Sequence, residues 1–385
     1  PVSNKICREK EMRITGDELE YKTFFLDEYQ VGQVNDMGRG HRVILANPGA
    51  GKSVLLLSKA FKYASMYKDS NILLTCYNSN LADSYCFKRS CANFGNDSNL
   101  HIMTFHKLVK KIYEECLHAR CADNIATPEE IQNCINLVKS GKLKLRFKAI
   151  FIDEVQIFDP QYLELCYLLL EDAEDNTFLM AGDLNQTVRK KSSRGDVPWK
   201  KIAGVTLDFT GRVKYIRKNY RNSKQIGLYL CHMLQHMNER MKMLNLIDFK
   251  ELEYDSFEVG EAKSLALNVK TGIGRMDITK KTVDAIKEIA EKYKLSYSEI
   301  AVLFPYKQHD RIRYYNLYWL RQALDAEDIP YSMITSSRDG IFERKRYSDT
   351  NGVVLSTIDS SLGLDFKAVI VTGLYPYNYI YGDDF

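Results

Sequence analysis

Ala46-Asn47-Pro48-Gly49-Ala50-Gly51-Lys52-Ser53 is the stretch that decides the fold. It follows the apolar run Val43-Ile44-Leu45 and leads into an apolar-periodic segment, Val54 to Ala60. Strand, glycine-rich turn and helix, in that order, form the frame a phosphate-binding loop requires. Gly49 and Gly51, on either side of Ala50, let the backbone turn tightly and bring its N–H groups close to an anion. A helix beginning near Lys52 adds the partial positive charge of its N-terminus. Lys52 is then placed to reach the β- and γ-phosphates of a nucleotide, and the Ser53 hydroxyl to ligate Mg²⁺. Ala46 stands where the motif has its first glycine, and its side chain is small enough to fit.

Working outward, the chain alternates strands and helices. Residues 1–24 are polar and charged and carry no assignment. Asn71 to Thr75 reads as a buried strand with a helix beginning near Asn80, and His101 to His106 as a short strand with a polar end. A helical insertion covers about 107–147, broken where Thr127 caps and Pro128 opens a second helix. Lys148 to Glu154 is an apolar strand ending in two carboxylates, Asp159-Pro160 opens a helix, and Thr177 to Ala181 is another strand. The second half repeats the alternation, with helices over about 222–245, 280–294 and 314–327 and strands over 299–304, 353–357 and 368–372. The predicted fold class is α/β, with parallel sheets covered by helices on both faces. The predicted domains are 25–211 and 212–385.

Composition sets broad limits. At 385 residues the chain is long for one core, so two domains are expected. Its 45% hydrophobic and 27% charged content are those of an ordinary globular protein. A net charge of +4 neither requires nor excludes a nucleic-acid partner. No apolar run reaches transmembrane length and no signal-peptide pattern opens the chain, so no membrane partner is expected. The nine cysteines form no Cys-x-x-Cys pair. That pattern fits free thiols in a reducing cytoplasm, with a bacterial source favoured.

Asp153 and Glu154 carry the second part of the chemistry. At the end of an apolar strand downstream of a phosphate loop, Asp153 is the expected Mg²⁺ ligand and Glu154 the group that polarises the attacking water. Gln186, in Gly182-Asp183-Leu184-Asn185-Gln186, is a candidate to orient water or to sense the γ-phosphate.

The order of these motifs resembles the superfamily-1 helicases of the UvrD/Rep/PcrA type, over residues 25 to about 373. Leu26 to Gln30 looks like that family's adenine-reading segment, and Ala46 to Ser53 like its motif I. Thr75-Cys76-Tyr77-Asn78 and Thr104-Phe105-His106 are similar to motifs Ia and Ib. Asp153 to Gln156 and Gly182 to Gln186 match motifs II and III, Asn219-Tyr220-Arg221 motif IV, and Thr357 to Asp365 motif V. The resemblance implies two RecA-like domains with ATP and Mg²⁺ between them. It implies that Gln30 and Tyr220 hold the adenine and that Arg221 reaches the γ-phosphate as an arginine finger. Asp365 falls at the ribose, one methylene shorter than the family's Glu.

The same resemblance implies a single-stranded nucleic-acid partner, DNA in preference to RNA, touched by Tyr77, Asn78, Thr104, Phe105, His106 and Thr357. The match departs from the family at Asp359 and Leu362, where motif V has His and Lys; an acid near a phosphodiester repels it. It departs again after Gln186, where a basic stretch with Arg189 and Trp199 either supplies charge in place of stacking aromatics or is a solvated loop. No motif VI follows motif V through Phe385, so a second arginine for the γ-phosphate is expected from elsewhere. Two functions stand on this sequence. One is an ATP-driven translocase or helicase of 3′–5′ polarity. The other is an ATP-gated regulatory or assembly subunit that controls a partner nuclease, as in phage defence, without translocating.

Overall fold

The computed structural model describes residues 12–13, 20–21, 40–46, 49–91, 99–117, 125–172, 175–183, 212–216, 274–305, 316–335 and 343–373, with isolated positions between them. The chain divides into two compact units. One comprises Pro1–Glu9 and Phe24–Leu265, the other Lys10–Thr23 and Ala266–Phe385.

In the first unit a six-stranded sheet contains β1 (Gly40–Ala46), β2 (Ile72–Cys76), β3 (Leu100–Thr104), β4 (Ala149–Ile152), β5 (Thr177–Gly182) and β6 (Val213–Ile216), in the spatial order β3-β2-β4-β5-β1-β6. Every pairing is parallel. Of the inner strands, β2, β4 and β5 are buried at every position and β1 over its last four residues, as expected of strands covered on both faces. Successive side chains alternate between two cores. Ile150 and Ile152 of β4 join Phe105, Ile131 and Leu163 on one face. Ala149 and Phe151 join Leu55, Leu56 and Leu81 on the other.

The helices follow from local signals. α1 (Lys52–Met66) begins directly after Gly51. α2 (Ser79–Cys91) follows β2, and the Asn78 side chain accepts from the Asn80 N–H at 2.8 Å at its start. α3 (Phe105–Leu117) continues β3 without a loop, with Thr104 Oγ1 accepting from the Lys107 N–H. α4 (Pro128–Lys139) has the expected Thr127 cap, made reciprocal by Glu130. α5 (Pro160–Leu168) completes the layer.

In the second unit β7 (Ile300–Phe304), β8 (Tyr331–Met333), β9 (Val353–Thr357) and β10 (Ala368–Val371) form a parallel sheet in the order β8-β9-β7-β10. Helices α6 (Gly274–Tyr293) and α7 (Asn316–Ala326) belong to the same unit. Ile286 and Leu320 pack with Ile300, Val302, Val353 and Leu355 in its main core.

The α/β class with parallel sheets is therefore the observed one. The boundary differs from the expected 212. Val213–Ile216 extends the first sheet, pairing with Val43–Ala46, and the first unit runs on to Leu265. A short antiparallel pair, Met12–Arg13 with Glu20–Tyr21, lies in the segment that joins the second unit. Among the described residues no helix is long and apolar enough to cross a membrane.

Candidate active site

Parallel strands place all their C-terminal ends at one edge of a sheet, and the crevice there is where such folds gather chemistry. In the first unit that edge collects the phosphate loop after β1, Asp153 after β4 and Asp183 after β5. The register explains why: Leu45 lies beside Gly182, and Ile152 beside Met180.

Gly49 and Gly51 both take positive φ, 79° and 80°, a left-handed conformation that glycine reaches without steric cost. Ala50 between them is buried. Lys52, the first residue of α1, is buried too, and its Nζ donates to the Ala46 carbonyl at 3.2 Å. Ser53 Oγ donates to Asp153 Oδ2 at 2.7 Å. A hydroxyl and a carboxylate thus meet at a helix N-terminus.

Asp153 is fully buried and accepts two further hydrogen bonds. The Glu154 N–H donates to Oδ1 at 2.9 Å, and the Tyr85 hydroxyl donates to Oδ2. Burial, helped by the neighbouring Asp153 charge, pushes the Tyr85 phenol well above its usual range, so it remains a donor.

Glu154 has φ 54° and ψ 46° at the start of a short 3₁₀ turn, Val155–Ile157. For a residue with a Cβ this conformation costs roughly 1–2 kcal/mol. The turn doubles back so that Gln156 reaches the Glu154 side chain. Gln156 Nε2 donates to Glu154 Oε2, while its Oε1 accepts from the Asp183 N–H at 3.1 Å. One amide therefore ties the Glu154 carboxylate to the end of β5. Burial raises the Glu154 carboxyl, to about 7; Asp153 and Asp183 add to the rise, and Lys52 and the Gln156 bond oppose it.

These residues fit a nucleotide phosphate chain with a divalent cation. Asp153, Glu154 and Asp183 are all nearly inaccessible to solvent, and Lys52 faces the same site. Three acids against one base leave room for positive charge, which a cation supplies. Among the described residues no set of three His, Cys, Asp or Glu side chains is arranged to hold a metal alone. Mg²⁺ characteristically takes one or two carboxylates and completes its shell with phosphate and water oxygens. Ser53 and Asp153 suit that pattern.

The expected nucleic-acid residues sit differently. The parallel pairing of Cys76 with Thr104 brings the segments after β2 and β3 side by side, and Tyr77 meets His106 edge-on at 5.1 Å. Phe105, however, is fully buried and stacked on Tyr162 at 4.2 Å, so its ring faces the core and is closed to a base. His106 is buried as well, its Nδ1 accepting from the Ala126 N–H at 3.2 Å. Asn78 and Thr104 use their side chains as helix caps. Thr357 is buried at the end of β9, and its hydroxyl donates to Ser360 Oγ at 2.9 Å. Among the described residues of the first-unit set, Tyr77, Asn78 and Thr104 keep partial exposure. In the second unit Asp359 and Asp365 are exposed and Leu362 is half-buried. Gln30, Gln186, Arg189, Trp199, Tyr220 and Arg221 lie outside the described residues.

Sequence reasoning missed Tyr85 and the bridging role of Gln156. Nothing in the local pattern of α2 marks Tyr85, since a tyrosine on a helix face is ordinarily core. Gln156 carried a signal only as the last residue of Asp153-Glu154-Val155-Gln156.

Residues 30–191 match a family model described as an AAA domain. A comparison with curated proteins gives no match. Among solved structures, the NS3-like helicase from Alongshan virus aligns with 86% of this chain and 61% of its own length, at 13% identity and a TM-score of 0.33. The chain thus spans about three fifths of that protein, and a superposition so loose carries no argument about either unit. The segment 30–191 is similar to AAA domains.

Proposed function

We propose that this chain is an ATP-driven translocase or helicase on single-stranded nucleic acid, related to the UvrD/Rep/PcrA type, with DNA as the preferred strand and 3′–5′ polarity. The observation that carries the nucleotide part is the convergence of Lys52, Ser53, Asp153, Glu154 and Gln156 at one sheet edge. Gly49, Ala50, Gly51 and Lys52 bind the phosphates through backbone N–H groups and the ammonium. Ser53 and Asp153 hold Mg²⁺, which when bound neutralises charge on the β- and γ-phosphates. Glu154 takes the proton of the attacking water, oriented by Gln156. Gln30, Tyr220 and Asp365 are assigned to the nucleoside, and Gln186 and Arg221 to the γ-phosphate, on the resemblance described above.

The strand part has support in the meeting of Tyr77 and His106 beside the partly exposed Asn78. A second reading, an ATP-gated subunit that controls a partner such as a nuclease, is favoured by two observations. Phe105 is spent in the core, and Asp359 presents an acid on the turn after β9. ATPase turnover with and without single-stranded DNA and RNA, across a salt series, separates the two. A motor is stimulated severalfold, with an effect that falls steeply as salt rises. A switch is stimulated by neither polymer.

A further inference from the structure

A phenylalanine would fill the Tyr85 position as well as tyrosine does. The side chain is fully buried, packed in the core between α1, α2 and the sheet. A hydroxyl brought into such a place costs free energy unless it finds a partner. Its partner is Asp153 Oδ2, 68 residues away in sequence. The same oxygen accepts from Ser53 Oγ at 2.7 Å, while Oδ1 is held by the Glu154 N–H at 2.9 Å. The carboxylate is thus fixed from three directions, by α1, by α2 and by its own strand end.

Of these three donors only Ser53 is itself suited to ligate a cation. When its oxygen lone pair turns to a metal, Tyr85 and the Glu154 N–H remain to keep the carboxylate in place. Partners of that kind orient a ligand without touching the metal, and losing one typically weakens metal binding by about 10–100-fold.

We propose that Tyr85 is a positioning residue for the divalent-cation site, its hydroxyl delivered by α2 to hold Asp153 toward Ser53. The proposal rests on the nucleotide reading above. Its test is Mn²⁺ binding to the protein–ADP complex, followed by electron paramagnetic resonance, beside ADP binding in excess EDTA. Tyr85→Phe is expected to weaken Mn²⁺ affinity about tenfold, leaving metal-free ADP affinity within about twofold. The control is Tyr113→Phe. Tyr113 is likewise buried and its hydroxyl accepts from Asn133 Nδ2 at 2.8 Å, in the other core of the unit. A merely structural loss would move the melting temperatures of both variants and the Mn²⁺ affinity of neither.

Because one variant removes a buried hydroxyl, a second measurement keeps it. With 3-fluorotyrosine at position 85, the ¹⁹F resonance should broaden on adding Mn²⁺ to the ADP complex, and far more than the same probe at position 113. An unchanged Mn²⁺ affinity in Tyr85→Phe, or equal broadening at the two positions, overturns the role of Tyr85 alone. A native protein that binds ADP but no Mn²⁺ overturns the metal assignment of Ser53 and Asp153 as well.

Discussion

Replacing Gly182 by alanine is the most discriminating single change at the active site. A Cβ there would stand 2.5 Å from Gln156 Oε1 and 2.8 Å from Val155 Cγ1, far inside the 3.5–4.0 Å at which carbon and its neighbours are content. The Gln156 amide must swing away. It then releases the Asp183 N–H, which it holds at 3.1 Å, and the Glu154 carboxylate. Leaving buried groups unpaired costs about 1–3 kcal/mol each, and forcing extra volume into a packed site costs about 1–3 kcal/mol. Partial relaxation brings the expected destabilisation to about 2–4 kcal/mol, read as a lowered urea midpoint of the purified protein. Turnover should fall by about 10–100-fold, part of the 10²–10⁴ that a positioned general base contributes, with nucleotide affinity nearly unchanged. Adding Gln156→Ala to Gly182→Ala removes the contact with Gln156, but neither the one with Val155 Cγ1 nor the loss of orientation. The double variant should therefore be less destabilised than the sum of the two single variants and should not regain turnover, a non-additivity expected of groups in contact. An unchanged midpoint with turnover within twofold of the native protein would refute the bridge as the device that orients Glu154.

Two other perturbations test neighbouring assignments. Glu154→Gln should keep nucleotide and cation binding, because Asp153 retains its charge, and should slow hydrolysis by about 10²–10⁴. In the native protein turnover per nucleotide bound should rise with pH through about 7, as the raised Glu154 carboxyl ionises, and Glu154→Gln should lose that dependence. The stability linkage has the opposite sense. A carboxyl raised in the folded state contributes stability that is complete below its unfolded value, near 4.5, and is lost as pH rises through about 7. Asp359→His with Leu362→Lys should tighten single-strand binding if the turn after β9 faces the strand. A change of about two charges steepens the salt slope by about 1.4; an unchanged slope removes that turn from the interface.

What the sequence made legible was local. The phosphate loop, the apolar strand ending in Asp153-Glu154 and the Thr127-Pro128 helix start are each written in consecutive residues, because backbone conformation and capping are short-range effects. Most of the parallel strands were legible for the same reason, as short apolar runs between helical periods; Tyr331–Met333, short and partly polar, was not. What escaped was long-range. Val213–Ile216 falls just past the boundary expected at 212 and carries no strand assignment from sequence; only its pairing with β1 assigns it to the first sheet. Tyr85 reads as core until Asp153 is brought to it by the β2–β4 pairing, with Thr75 beside Ile152. Phe105 follows a strand end, where an aromatic suits a base; its stacking on Tyr162 depends on where α5 packs, which no local pattern specifies.

The central claim is that Lys52, Ser53, Asp153 and Glu154 form one Mg²⁺-dependent nucleotide hydrolysis site. Phosphate release from ATP by the purified chain, in Mg²⁺ and in excess EDTA, with Lys52→Ala in parallel, measures it directly. Lys52 is buried and its Nζ donates to the Ala46 carbonyl at the end of β1; alanine keeps the helix and takes a charge out of a buried site, so Lys52→Ala should fold. The expected result is release that needs Mg²⁺ and is lost in Lys52→Ala, together with ATP binding. Release that survives EDTA, or a folded Lys52→Ala that turns over ATP at the native rate, would contradict the site.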